Sequence, residues 1–195
     1  MVFISPSCRR IDLLRSLLAL CLLLFCTAFA AAEGIHVKSA EISLSDGDYH
    51  LEANFEVELT HTLEDALNKG LPLHFIVEFE LIQPRWYTLY LWNKSMLEFE
   101  QDYRLSYNAL TRQYRLSQGA LHQNFDTLSD ALALMGRLRP RLLADADMLD
   151  TGKVYEAAVR MRLDVTQLPK PFQINALASR DWNLASAWYR WTVTR

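Results

Sequence analysis

From Tyr49 to Leu59 the chain alternates strictly. Tyr49, Leu51, Ala53, Phe55, Val57 and Leu59 are apolar, and His50, Glu52, Asn54, Glu56 and Glu58 fall between them. Period two over eleven residues is a strand with one dry and one wet face. Asp46-Gly47 just before it signals a hairpin back to a strand around Ala40, Ile42 and Leu44. Beyond Pro72 the pattern returns, with Leu73, Phe75, Val77, Phe79 and Leu81 on one side and Glu78 and Glu80 on the other. A third such run places Leu97, Phe99, Tyr103, Leu105 and Tyr107 opposite Glu98, Glu100, Asp102 and Arg104. A fourth passes through Tyr155, Ala157, Val159, Met161, Leu163 and Val165. Between the second and third, residues 86–93 (WYTLYLWN) are apolar on both faces, which predicts a central or covered strand.

Two interruptions have helical spacing. Thr62 can cap a short helix holding Leu63, Ala66 and Leu67, ended by Gly70. Thr127 and Asp130 form a capping pair ahead of Leu128, Ala131, Leu132, Met135 and Leu138, with Pro140 closing or kinking that helix. LPKPF (168–172) is expected to be a stiff connector. The tail after it supplies one or two last strands carrying Trp182, Trp188 and Trp191. Wet-faced strands joined by short connections predict antiparallel pairing. The expected fold is α+β, mainly β: an antiparallel β-sandwich or curled sheet of about seven to nine strands with two helices packed on it.

Residues 103–117, YRLSYNALTRQYRLS, contain YRLS twice. Eleven residues is too short for a self-contained repeat unit, so a hairpin is the better reading. A turn at Asn108 to Thr111 sets Leu105 against Tyr114 and Tyr103 against Leu116. It also sets Arg104 against Arg115, a like-charge pair that needs an anion or carboxylates nearby.

The first thirty residues have a different character. Arg9, Arg10 and Arg15 precede a short apolar run ending in Ala28-Phe29-Ala30, the layout of a secretory signal. The expected division is a leader, 1–30 (or cut after Ala32), followed by one β-rich domain, 31–195, exported to the periplasm. On that reading the membrane is touched only by the leader before cleavage; an uncleaved leader anchoring the chain in the inner membrane is the alternative. All three cysteines (Cys8, Cys21, Cys26) lie in the leader, so the remaining chain has no disulfide or thiolate chemistry. The leader carries three Arg and one Asp, so removing its +2 from the whole-chain −3 leaves about −5. A basic footprint for nucleic acid is missing.

The sequence has no G-x-S-x-G elbow, H-E-x-x-H zinc motif or phosphate-binding P-loop. No cofactor and no catalytic residue is assigned. Asp145, Asp147 and Glu156 match three positions of a calcium loop, but Leu149 and Asp150 stand where an oxygen ligand and a glycine are required. His50 and His74 lie on wet faces near glutamates and would converge only if their strands were neighbours. That leaves an envelope hydrolase as an alternative. The early strands are acidic on their wet faces, whereas the later ones carry Arg104, Arg112, Arg115, Arg160 and Arg162. Guanidinium rows suit anionic groups, and they equally suit the chain's own glutamates. Candidate ligand or partner contacts are Arg104, Arg112, Arg115, Arg85, Trp86 and Tyr114, facing an envelope protein or an anionic ligand.

Several stretches in order, GLPLHFIVEFEL, Arg85-Trp86, RLSYNALTRQYRL, LPKPF and DWNLASAW, resemble the bacterial domain of unknown function 4390 family. The resemblance covers essentially the whole chain after the leader. It implies a short exported protein of Gram-negative bacteria. Through members encoded beside a nitrogen-regulation-type histidine kinase, it also implies an accessory sensor role as a second function. It brings no catalytic residue.

Overall fold

The computed structural model describes residues 34–45, 47–84, 94–145 and 148–194. The leader and the stretch holding Arg85, Trp86 and the 86–93 aromatic run lie outside them. The described residues fall within one compact unit, 33–195.

The alternating segments become nine strands among the described residues, in two antiparallel sheets. β1 (Ile35–Ser45), β2 (Asp48–Val57) and β7 (Arg137–Asp145) form a three-stranded sheet in the order β1-β2-β7. The larger sheet runs β6-β5-β4-β3-β8-β9. Its strands are β3 (Leu73–Gln83), β4 (Lys94–Asn108), β5 (Gln113–Gln118), β6 (Leu121–Phe125), β8 (Val154–Leu163) and β9 (Tyr189–Thr194). The dry parities read from the sequence face inward. Leu51 and Phe55 of the small sheet join Phe75, Phe79, Tyr155 and Met161 of the large one in a single hydrophobic cluster.

Register follows the same logic. Phe79 lies opposite Phe99 and Val159, and Leu73 opposite Leu105, so apolar side chains meet across β4-β3-β8. The β1–β2 hairpin closes at Ser45–Asp48 through Gly47, whose φ of +89° is open to glycine at no steric cost.

Helix α1 (His61–Asn68) buries Leu63 and Leu67. Its cap is Thr60 rather than Thr62: the Thr60 hydroxyl accepts from Leu63 N and donates to the Asp181 carbonyl at 2.8 Å. Helix α2 (Leu128–Met135) begins as expected, with Thr127 accepting from Asp130 N and donating to the Asp130 carboxylate at 2.6 Å. It ends earlier than predicted. Gly136 terminates it, and Leu138 is buried from β7 rather than from a helix. Leu138 continues the helical i+3 spacing from Met135, and because the chain changes geometry at Gly136 both are nonetheless buried, so the spacing alone did not mark the boundary. Pro140 sits in β7, an edge strand, where residues 139 and 140 stand opposite Glu52 alone. An edge bulge tolerates the missing N–H.

Gly136 has a packing reason. Its carbonyl accepts from Phe55 N at 2.7 Å, and a Cβ there would lie 2.2 Å from the Phe55 carbonyl oxygen. Backbone contacts that close between the α2–β7 junction and β2 admit only glycine.

The expected connector at LPKPF instead opens a third helix, α3 (Lys170–Ala178), with Pro169 at its cap and Pro171 in the first turn. Proline is pre-organised for a helix start, so the same residues that read as stiff coil nucleate a helix. The tail yields one strand, β9, which carries Trp191. Trp182 is buried in a short 3₁₀ turn (Arg180–Trp182) with its ring 5.6 Å from that of Phe172. Between them, Leu184 and Ser186 bond the backbone of Leu163 and Met161, continuing the β8 ladder.

Candidate functional site

The outward face of the large sheet gathers most of the chain's charged strand residues. Glu78, on β3, lies between Arg160 and Arg162 of β8. Arg160 Nε donates to one carboxylate oxygen, and Arg162 Nε donates to the other at 2.7 Å. Burial alone would raise the Glu78 pKa. The two arginine hydrogen bonds and their charges outweigh it and hold the carboxyl below its ordinary value. The Arg160 guanidinium also stacks on Trp188, 4.4 Å from the ring centroid. These two arginines, predicted either to pair internally or to bind anions, pair internally.

Arg104 and Arg115 behave differently. The hairpin of β4 and β5 is real, but its register is shifted by two residues from the predicted one. Leu105 faces Leu116 and Tyr107 faces Tyr114, while Arg104 faces Ser117 and Ser106 faces Arg115. Asn108 makes this longer loop: its side-chain oxygen accepts from Leu110 N and Thr111 N, and Arg112 closes the turn at φ +54°. A shift of two leaves every side chain on its expected face. It removes the like-charge Arg104–Arg115 pair and substitutes a serine opposite each arginine.

Following the pairing outward from Arg104 gives one lateral row across four strands: His74 on β3, Arg104 on β4, Ser117 on β5 and His122 on β6. Three strand spacings make that row about 14 Å long. Arg115 lies next along β5, on the same face, between Ser106 and Asn124, and its Nε donates to Asn124 Oδ1 at 3.1 Å. Among the described residues neither Arg104 nor Arg115 has a carboxylate within ion-pair distance. The nearest acid along the strand is Asp102, two residues from Arg104. Burial, and then the Arg104 charge, lowers the His74 pKa below the ordinary histidine value, against the opposing pull of Asp164 and Asp102. His74 is therefore held toward its neutral form beside a fixed cation.

The remaining sequence candidates separate. Tyr114 points to the other side of the sheet; its ring is 4.9 Å from Tyr107 and its hydroxyl donates to Asn68 of α1 at 2.9 Å. Burial first, then Tyr107 and Glu64, raise its pKa, so Tyr114 is a neutral clamp between β5 and α1. Arg112 is exposed in the turn. Arg85 and Trp86 lie outside the described residues. The convergence of His50 and His74 does not occur, because β2 and β3 belong to different sheets. No group of three or more His, Cys, Asp or Glu with metal-binding geometry exists among the described residues. Leu149, in the calcium-like segment, is buried in the core.

Sequence reasoning missed a second feature. Where the small sheet ends at β7 and the large one at β5–β6, a cleft of about 680 Å³ opens, walled in part by Leu116, Leu134 and Leu138. Arg137 and Arg139 border it, and neither residue was nominated from sequence because RLRPRLL read as a helix end.

A mostly β domain of two antiparallel sheets with three helices, presenting a basic row and no metal-binding cluster among its described residues, is the class this chain defines. It belongs to the family described as Domain of unknown function (DUF4390), whose model matches residues 32–192. No curated protein and no solved structure matches it.

Proposed function

We propose that this chain is a non-catalytic binding module of the bacterial cell envelope. It would act in the periplasm after export, with its two sheets stacked as a β-sandwich and its outward basic row engaging an anionic group on a partner or ligand. One observation carries the reading: among the described residues Arg104 and Arg115 share a face without carboxylate ion-pair partners, whereas Arg160 and Arg162 on the same sheet pair with Glu78, and Arg162 also with Asp164 at 3.9 Å. Surface arginines left uncompensated beside serine, asparagine and histidine donors fit carboxylate or phosphate oxygens, because the guanidinium fork binds them bidentately. A membrane histidine kinase is the second candidate for the partner, on the family resemblance. No helix among the described residues is long and apolar enough to cross a membrane.

The test is titration of the mature protein with pyrophosphate and with a hexa-aspartate peptide, followed by amide chemical shifts. Saturable shifts confined to β3–β6 on the Arg104 face, abolished in Arg104→Ala/Arg115→Ala, are expected. Shifts scattered over the surface, or unchanged in the double variant, overturn the reading.

A further inference from the structure

The cleft between β5–β6 and β7 is a separate feature with its own chemistry. Its lining is two-sided: Leu116, Leu134 and Leu138 form apolar walls, Arg137 and Arg139 stand on one flank, and no carboxylate lines it among the described residues. At its mouth Leu121 and Leu142 remain 75% and 55% exposed, unlike the apolar residues of the strands beside them. Solvated leucines converging on one opening are the kind of surface a ligand's apolar part would remove from water. A volume of about 680 Å³ is within the range of small-molecule sites, roughly 300–1,000 Å³.

One side of the cleft is built from β7. That strand carries two irregularities against β2: residues 139 and 140 oppose Glu52 alone, and Leu143 is an extra residue between the pairs Leu142–His50 and Ala144–Tyr49. Each bulge bends the strand and increases its local twist. Arg137 also borders a hollow containing Asp126 and Asp130, and another containing Glu56 and Glu58. Arg139 borders the main cleft and neither of these acidic hollows, so it is the cation placed to meet an anionic head there.

We propose that this cleft binds a single-chain amphiphile, an acyl chain lying along the leucine walls with its carboxylate on Arg139 and Arg137. Charge complementarity selects this occupant: among the described residues the lining holds two guanidinium groups and no acid, so an anionic head is favoured over a neutral or cationic one of equal chain length. The assignment stands apart from Arg104 and Arg115 of the outward row, neither of which lines the cleft, although His122 at the row's β6 end borders both.

Calorimetric titration of the mature protein with octanoate, decanoate and dodecanoate, each below its micelle concentration, tests it, with dodecyltrimethylammonium as the cationic control. Affinity is expected to rise about fourfold for each buried methylene, and the trimethylammonium compound is expected to bind at least tenfold more weakly than dodecanoate. Arg139→Glu should reverse that preference. Leu121→Gln, at an exposed position where folding is not at stake, should weaken every chain length. Arg104→Ala/Arg115→Ala should leave the titration unchanged. Absence of saturable binding, affinity independent of chain length, or indifference to both Arg139→Glu and Leu121→Gln overturns the proposal. So does loss of binding in the Arg104/Arg115 variant, which would move the site to the outer face. Binding of extended peptides without binding of amphiphiles overturns it in favour of strand addition at β7.

Discussion

Replacing Glu78 by Gln isolates the ion cluster on the outward face. Glutamine keeps the volume and one acceptor oxygen, but its amide nitrogen faces a second guanidinium, donor against donor. Two charge-assisted hydrogen bonds are lost or weakened, each contributing roughly 1.5–3 kcal/mol where the group is desolvated. Glu78 has a side chain only 12% exposed, whereas both arginines are 32% exposed and can recover some hydration. Discounting for that recovery leaves a loss of about 2–3 kcal/mol at pH 7. For a domain of this size it corresponds to a melting temperature lower by roughly 5–10 °C. Urea unfolding followed by tryptophan fluorescence reads it, with the m-value unchanged.

The pH dependence gives a sharper check. A carboxyl held below its ordinary value in the folded state contributes stability at pH values above the unfolded value, and that stability is lost as pH falls through the lowered folded one. Wild type and Glu78→Gln should therefore differ most near neutrality and converge in acid. A loss under about 0.5 kcal/mol at pH 7, or a difference that persists undiminished at pH 3, would refute the clamp as a stabilising unit.

Gly136→Ala should cost about 2 kcal/mol or more by forcing the α2–β7 junction off β2, because its methyl would overlap the Phe55 carbonyl; denaturation beside a control such as Ala133→Gly separates this from helix propensity. Thr127→Ala removes the cap of α2 and should lower stability by about 1 kcal/mol, with Thr127→Ser restoring most of it. His74, whose pKa is lowered in the fold, binds fewer protons there than in the unfolded chain, so it should lower stability as pH falls through the ordinary histidine value. His74→Gln should flatten that part of the stability profile, and an unaltered profile would show that burial and the Arg104 charge do not lower the His74 pKa in the fold.

The strand faces were legible because burial on one side of a sheet imposes period two on the sequence: Tyr49 to Val57 and Tyr155 to Leu163 could be assigned residue by residue. Register was legible only to within two residues. Apolar pairing is satisfied by Leu105–Tyr114 and by Leu105–Leu116 alike, and the choice is made by the Asn108 side chain within the loop. Helix α3 was hidden because its apolar residues do not form one buried stripe; Ile174 is 69% exposed. Its start is encoded in prolines that also suit extended chain. The candidate arginines divided by partner rather than by sequence. Arg160 and Arg162 resemble Arg104 and Arg115 in every local respect, and only the neighbour relation of β3 and β8 brings Glu78 to the first pair. The Arg137–Arg139 cleft was illegible for a related reason, since it exists only where two sheets diverge.

The decisive measurement for the anion-binding face compares wild type, Arg104→Ala/Arg115→Ala and Arg160→Ala in one pyrophosphate titration monitored by amide shifts. Binding by wild type and by Arg160→Ala, with at least tenfold loss in the Arg104/Arg115 variant, is the predicted pattern. Equal binding by all three proteins, or selective loss in Arg160→Ala, would contradict it.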